Sequence, residues 1–318
     1  MASIQKLSKS FFMLLLPTAI LFVIAIVGAS FWLLQKVSVP TSANYLITPE
    51  KYVGLSTRGA KITDETWANK DGSSARGWLL RGSEGSPAIV LLHKYGADRS
   101  HLLNLGVKLN EVTNFTILMP DLRAHGVSPL VINTTFGGSE ADDLIAAGEF
   151  LKSLKTTEKN TLIDNQIGVY GIELGAYAGL LAAGKDESFK VLVLDSVAAT
   201  SDDLLASVIQ KRYPFASFAT AKLASFATLP YFQGSYSSES LCNVASKIRD
   251  KKILLLASND VPSFQVSTAE LAKCFTFQVE SKTDLSISGY STINSTGEQE
   301  EAYDQRVIEF LKKSLAKQ

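Results

Sequence analysis

Apolar residues follow three patterns along this chain, each implying a different kind of element. Residues 11–34, FFMLLLPTAILFVIAIVGASFWLL, run without a single charged side chain. A bilayer core takes about 20 apolar residues as a helix, so this run is long enough to span one. Residues 35–60 follow, where Pro, Ser, Thr and Gly are mixed with isolated apolar positions. They read as a linker with little regular structure. From residue 61 to the end the pattern becomes alternating. Segments 61–67 and 75–81 flank an Asp-Gly pair, Asp71-Gly72, whose left-handed preference suits a hairpin turn. Continuous apolar runs then occur at 88–93, 115–120, 167–171, 191–196, 253–258 and 276–280. Such runs suit strands covered on both faces. Amphipathic stretches near 100–109, 139–154, 174–184, 263–273 and 298–315 lie between and after them. In the last, Tyr303, Val307, Phe310 and Leu311 share one helical face. Strand and helix in alternation predict an α/β domain over 61–318, with a mostly parallel sheet and helices on both faces.

Residues 197–250 interrupt this alternation. Within 213–236 stand Phe215, Phe218, Phe226, Tyr231 and Phe232 in a largely helical composition. Two readings stay open: a satellite cluster packed over the sheet, or a helical lid that covers a cleft or meets a partner or a bilayer.

Composition narrows the function classes. Of 318 residues, 31 are basic and 31 acidic, and 46% are hydrophobic. A chain this apolar is not disordered throughout, and a neutral balance does not suit a nucleic-acid partner. The apolar run outlasts the h-region of a cleaved signal peptide and continues past Gly28-Ala29-Ser30, so it reads as an uncleaved signal-anchor. Lys6 and Lys9 precede it with no acid among residues 1–10. The positive-inside rule then keeps residues 1–10 cytoplasmic and exports the main domain. Cys242 and Cys274 fit either one disulfide in an exported domain or two free thiols. Their spacing matches no zinc pattern, and neither a dinucleotide fingerprint nor a phosphate loop is present. No metal or cofactor is expected.

Three segments carry candidate chemistry. In order they are Leu91-Leu92-His93-Lys94-Tyr95-Gly96, Pro120-Asp121-Leu122-Arg123-Ala124-His125-Gly126-Val127-Ser128, and Val169-Tyr170-Gly171-Ile172-Glu173-Leu174-Gly175. Together they resemble the α/β-hydrolase superfamily, especially its serine aminopeptidase and acyl-peptidase branches. The first is similar to the strand and His-Gly loop that supply an oxyanion-hole amide. The second is similar to an Asp-x-Arg-Gly-His-Gly-x-Ser segment, and the third to the Gly-x-Ser-x-Gly nucleophile elbow. The resemblance covers roughly residues 60–315 and implies that fold, with a lid at about 197–250. It also implies an oxyanion loop at Lys94, Tyr95 and Leu174, and catalytic positions at Glu173, Asp260 and Tyr290.

At those positions the chain departs from the family. A serine nucleophile needs a histidine to take its proton, and the histidine needs an acid to orient it. Here the nucleophile position is Glu173. The acid position falls on Asp260 after the run at 253–258, with Asp195 a second candidate. No histidine follows His125, and Ser288-Gly289-Tyr290-Ser291 stands where the family has its base. Tyrosine, with a reference pKa of about 10, is a weak base at neutral pH. His93 and His125 match family positions used for loop packing, and His101 reads as exposed in a first helical turn. Lys94 replaces a family glycine, and is expected to pair with Glu173 and plug the site, with Tyr290 bonded to the same carboxylate. The resulting expectation is a membrane-anchored pseudohydrolase that binds a small-molecule or protein ligand in a lid-covered cleft. The alternative is an active hydrolase with unusual machinery centred on Glu173.

Overall fold

A computed structural model of the chain describes residues 2–40, 45–53, 59–127, 129–214, 218–292 and 297–316. Ser128 of the second motif and Phe215 of the aromatic stretch lie outside these residues.

Eight strands form one sheet: β1 (Ile62–Ala68), β2 (Ser74–Leu80), β3 (Ser86–Leu92), β4 (Thr116–Pro120), β5 (Ile163–Ile172), β6 (Phe189–Asp195), β7 (Lys252–Ser258) and β8 (Glu280–Leu285). Their order is β1-β2-β4-β3-β5-β6-β7-β8. The hairpin at one edge is antiparallel and β2 meets β4 antiparallel, while β3 through β8 and β4 run parallel. Because strand side chains alternate, each central strand feeds two cores. Val90 and Leu92 of β3 point into one, Ile89 and Leu91 into the other. The first core is covered by α4 (Gly138–Ser153), α5 (Leu174–Lys185), α6 (Ser201–Arg212), α8 (Leu241–Lys247) and α9 (Pro262–Ala272). The second is covered by α3 (Leu103–Thr113) and α10 (Glu298–Leu315), the latter burying Tyr303, Val307, Phe310 and Leu311. This is the doubly covered, mostly parallel sheet that the alternation predicts.

Two expectations need correction. The run at 276–280 is not the last strand. β8 lies at Glu280–Leu285, a polar edge strand that pairs on one side only. Phe275 and Phe277, which gave that run its apolar look, pack on each other at 5.6 Å in the preceding loop. The linker expected over 35–60 is also replaced in its described parts. α1 (Ala2–Ser38) continues through Ser38. Tyr45 then donates to Asp121 (2.9 Å), and Tyr52, in α2 (Pro49–Val53), donates to Asn104 (2.7 Å). Tyr45 also lies against Trp78 and under Arg99, so aromatic side chains strap this stretch to the domain.

α1 is about 55 Å long at 1.5 Å per residue, and its Leu15–Ser38 portion is long and apolar enough to cross a membrane. Its last turns are docked on the domain. Leu34 and Val37 are fully buried, and Phe31 and Ser38 meet Tyr231 of α7 (Phe218–Phe232). A disulfide joins Cys242 of α8 to Cys274, which decides between the two readings left open for these residues.

Candidate functional site

Parallel strands of an open α/β sheet deliver their loops to one edge, where ligand sites form. The three motifs converge there. β5 ends at Ile172, and Glu173 makes the turn into α5 at φ 50° and ψ −105°. A non-glycine residue at positive φ stores strain of about 1–3 kcal/mol unless the surroundings hold it. They do so by close packing. A Cβ on Gly171 would come within 2.5 Å of the Gly175 carbonyl oxygen, and one on Gly175 within 2.5 Å of the Leu92 carbonyl oxygen. Only glycine at both positions lets α5 start so close to β3 and β5. The Glu173 amide also donates to the Asp195 carbonyl at 2.9 Å. The sharp strand–turn–helix is thus present with glutamate at its apex.

Glu173 is buried, with 2% of its surface exposed. Its Oε2 accepts the backbone N–H of Tyr95 at 2.9 Å. Tyr95 belongs to the loop after β3, and Leu174 is the first residue of α5. These are the amides that the resemblance assigns to the oxyanion hole. The carboxylate therefore engages the Tyr95 amide, one of the two that the resemblance gives that role. Burial pushes the Glu173 carboxyl up to about 7. The Tyr95 amide, Lys94, Lys211 and the Leu174 amide all oppose that shift.

Lys94 does not make the ion pair expected of it. Its ammonium donates to the Tyr290 carbonyl and lies 4.0 Å from the centre of the Tyr290 ring. A cation over an aromatic face is stabilised by the ring quadrupole, and the neighbouring backbone carbonyl adds a directed acceptor. Burial, followed by the nearby Lys211, pushes the Lys94 ammonium down from its usual range. Glu173 thus acts on it as a neighbouring charge rather than as a bonded partner. Nor does Tyr290 hydrogen-bond the Glu173 carboxylate; its hydroxyl accepts from Lys211 at 3.2 Å.

The acid and base positions come apart. Asp260 sits just past β7 and is exposed. Its carboxylate accepts from the hydroxyls of Ser258, Ser288 and Ser291, the Ser288 contacts at 3.1 Å. Asp195, at the end of β6, is fully buried and accepts from Ser196 (2.7 Å), from the Gly289 amide (2.9 Å) and from the Tyr303 hydroxyl. Burial raises its carboxyl to about 6. In a working triad one side chain meets the acid and also faces the nucleophile. Here Ser288 meets Asp260, whereas Tyr290 borders the cleft beside Glu173.

The three histidines divide the same way. Leu122 N–H donates to His93 Nε2 at 3.0 Å, so the ring proton lies on Nδ1, 2.8 Å from the Lys94 carbonyl oxygen. Gly96 N–H donates to His125 Nε2 at 3.0 Å, and His125 Nδ1 lies 2.6 Å from the Arg123 carbonyl oxygen. Burial holds both rings neutral, pushing His93 down to about 3 and His125 to about 4. Both nitrogens of each ring are occupied in shaping the loops, the packing role expected of them. His101 is not freely exposed. It is half-buried in a short 3-10 turn (Arg99–Leu102), 3.4 Å from Asp98, and it borders the cleft.

The cleft measures about 370 Å³ and is lined by Lys94, Tyr95, Glu173, Lys211, Arg212 and Tyr290 among others. Lys211 and Arg212 end α6, and sequence reading passed over them because a basic pair in a last helical turn ordinarily serves the helix dipole. Arg212 also donates to the carbonyls of Lys36 (2.6 Å) and Val39 (3.3 Å), and the Tyr95 hydroxyl donates to Val37 (2.6 Å). The end of α1 is therefore bonded to two residues of the cleft. α6 overhangs the cleft, whereas α7 packs on α1. The aromatic stretch resolves mainly into a satellite cluster in which Phe232 stacks on Tyr236 and meets Phe136. Among the described residues, no group of three or more His, Cys, Asp or Glu side chains is arranged to hold a metal ion.

No family model matches the sequence, and no curated protein matches it significantly. Solved structures do match in fold. The chain is similar to the esterase Pf2001 of Pyrococcus furiosus, at 20% identity and a TM-score of 0.64, over 88% of this chain and 99% of that one. It is similar to carboxyl esterase 2 of the fungus Tuber melanosporum, at 14% identity and a TM-score of 0.59, over 87% and 91%. It is also similar to the α/β hydrolase GrgF of a Penicillium species, at 14% identity and a TM-score of 0.58, over 81% and 100%. These likenesses establish the α/β-hydrolase fold.

Proposed function

We propose that this chain is a membrane-anchored binding or regulatory protein built on a hydrolase fold, and that it does not turn over esters or peptides by the serine route. The observation that carries this reading is the Glu173 carboxylate seated on the Tyr95 amide. A nucleophile must leave that place free for the substrate oxygen, and this residue fills it. The division of the base position between Ser288 and Tyr290 supports the same reading. The cleft's ligand, a small molecule or a peptide, would carry a carboxylate or phosphate, because Lys94, Lys211 and Arg212 surround a single buried acid. The apolar run at 11–34 would anchor the chain in the membrane, with Lys6 and Lys9 on the cytoplasmic side. The Cys242–Cys274 disulfide supports an exported domain in an oxidising compartment.

A second reading, an active hydrolase centred on Glu173, is favoured by one observation. The Glu173 carboxyl is poised near neutrality at about 7, as a general base requires, with His101 and its partner Asp98 close to the same cleft. The full-length protein in detergent, given short-chain nitrophenyl esters and aminoacyl anilides, separates the two. The first reading expects wild type and Glu173→Gln to match the buffer blank. Turnover in wild type that disappears in Glu173→Gln would overturn it.

A further inference from the structure

Phe226 and Leu229 of α7 are 75% and 73% exposed, and Ile132 in the loop before α4 is 70% exposed. Large apolar side chains left open to water often mark a surface that is covered in use. We propose that a lipid bilayer covers this one: the exported domain lies directly on the membrane, with α7 and the 129–133 loop seated in the boundary between headgroups and acyl chains. The inference rests on the reading of residues 11–34 as a membrane span.

Length is the first argument. A span that starts at residue 11 and uses about 20 residues to cross the hydrocarbon ends near residue 30. Among the described side chains of α1, from Leu15 on, Ser30 is the first that is buried, whereas Leu15, Leu21, Phe22, Ile24 and Val27 are exposed. No spacer remains between the bilayer and the docked part of the helix, so the surface beside residue 30 must meet the lipid.

Aromatic placement is the second argument. Just past residue 30, Phe31 meets Tyr231 at 5.9 Å and Trp32 meets Tyr213 at 6.1 Å. Trp and Tyr concentrate at the level of the headgroups, where an apolar body and a polar tip are both satisfied. This cluster marks that level on the domain. α7 begins a few residues after Tyr213 and carries Tyr231 near its end, so the helix belongs to the same level. Along its outward face Lys222, Phe226 and Leu229 follow at helical spacing. Lys222 and Lys36 are exposed cations at the rim, suited to anionic headgroups.

Rigidity is the third argument. Thr134 N–H donates to the Ser38 carbonyl at 2.9 Å, the Ser38 hydroxyl lies 3.0 Å from that of Tyr231, and Arg212 and Tyr95 donate to neighbouring carbonyls. With the helix end tied to the 129–134 loop, α7, α6 and the oxyanion loop, the patch cannot swing away from the membrane. Because Arg212 and Tyr95 also line the cleft, the same bonds couple the cleft to the seated end of α1.

The two cysteines are joined in a disulfide, so one introduced cysteine would be the chain's sole free thiol. Full-length Leu21→Cys, Phe226→Cys, Ile132→Cys and Val112→Cys variants would carry an environment-sensitive fluorophore in vesicles of zwitterionic and anionic phospholipid with lipid-borne quenchers. Val112 ends α3 at the foot of the sheet, opposite the cleft. Leu21 should be quenched from the bilayer centre. Phe226 and Ile132 should lose about half their signal to a quencher about 5–10 Å deep, the depth of an interfacial helix. Val112 should be unaffected. Quenching at Leu21 with Phe226 and Ile132 behaving like Val112 overturns the seating and leaves the span, and would point to a protein covering α7 instead. No quenching at Leu21 overturns the span and the seating together.

Discussion

The elbow at Gly171–Gly175 and the loop after β8 at Ile287–Ser291 both reach the cleft, through Glu173 and Tyr290, yet their hydrogen bonds run to different partners. The elbow has everything that depends on backbone: the strained turn, the two close-packed glycines, the helix start and the facing Tyr95 amide. The loop is instead held through its polar groups. Its amide at Gly289 is held by Asp195, its Ser288 hydroxyl by Asp260, and Tyr290 serves as a platform for Lys94 and Lys211. The difference teaches that backbone geometry at a site is part of the core packing and stays with the fold. A single side chain on a surface loop can be exchanged while the sheet stays untouched.

The largest test removes what fixes the loop. Asp195→Ala would leave the Gly289 amide and the hydroxyls of Ser196 and Tyr303 without their buried acceptor. Unpartnered buried polar groups cost about 1–3 kcal/mol each, and partial relaxation brings the sum to about 3 kcal/mol. Thermal unfolding should show that loss. If the two regions are independent, hydrogen exchange at the Tyr95 amide should stay slow while that at Gly289 speeds up. Fast exchange at both would mean that the loop props the elbow.

The sequence revealed the elbow better than the loop, for a physical reason. Gly171, Glu173 and Gly175 have fixed spacing on a strand–turn–helix whose apolar pattern is legible, so both the position and its unusual occupant could be read. β3, β4, β6, β7 and α10 were legible in the same way. The edge strand β8 was not, because it is polar and pairs on one side, while Phe275 and Phe277 imitated a strand just ahead of it. Tyr290 borders the cleft, but neither its own hydrogen bond nor the partner of Lys94 was legible. A lysine's direction depends on which acceptor lies within reach, and the Tyr290 carbonyl and ring were nearer than any pattern could disclose. The docking of α1 was hidden because the hydrogen bonds that secure it run from Arg212, Tyr95 and Thr134 to backbone carbonyls.

A middle-sized test uses the buried carboxyl of the elbow. The Glu173 pKa rises from an ordinary 4.5 to about 7 on folding. The folded state therefore holds a proton that the unfolded state has released, and stability falls as pH rises from about 4.5 to about 7. At about 1.4 kcal/mol per unit, the loss reaches roughly 3 kcal/mol at most. Glu173→Gln cannot ionise and should be flatter over that window. Asp143, raised to about 7, and Asp195, raised to about 6, titrate in both proteins. The difference between the two melting curves is therefore the quantity to read. Parallel curves would mean that the carboxylate is solvated and does not fill the oxyanion position.

The smallest test asks whether the elbow's partner loop feels α1. Tyr95 uses its amide on Glu173 and its hydroxyl on the Val37 carbonyl, so one residue links the apex of the elbow to the end of α1. Its ring is also stacked on Phe136, 5.9 Å between centres, and burial pushes the phenol up to about 12, so it remains a donor at any physiological pH. Tyr95→Phe keeps the ring and the amide and deletes only the donor. One neutral hydrogen bond is worth about 1 kcal/mol, which corresponds to about 2 °C in the melting temperature of a domain this size. If that bond also steadies the loop, exchange at the residue 95 amide should quicken in Tyr95→Phe more than the small global loss explains, and quicken further in Glu173→Gln/Tyr95→Phe. An unchanged amide would show that the Glu173 carboxylate alone holds the loop, leaving the elbow mechanically separate from α1 as well as from the loop after β8.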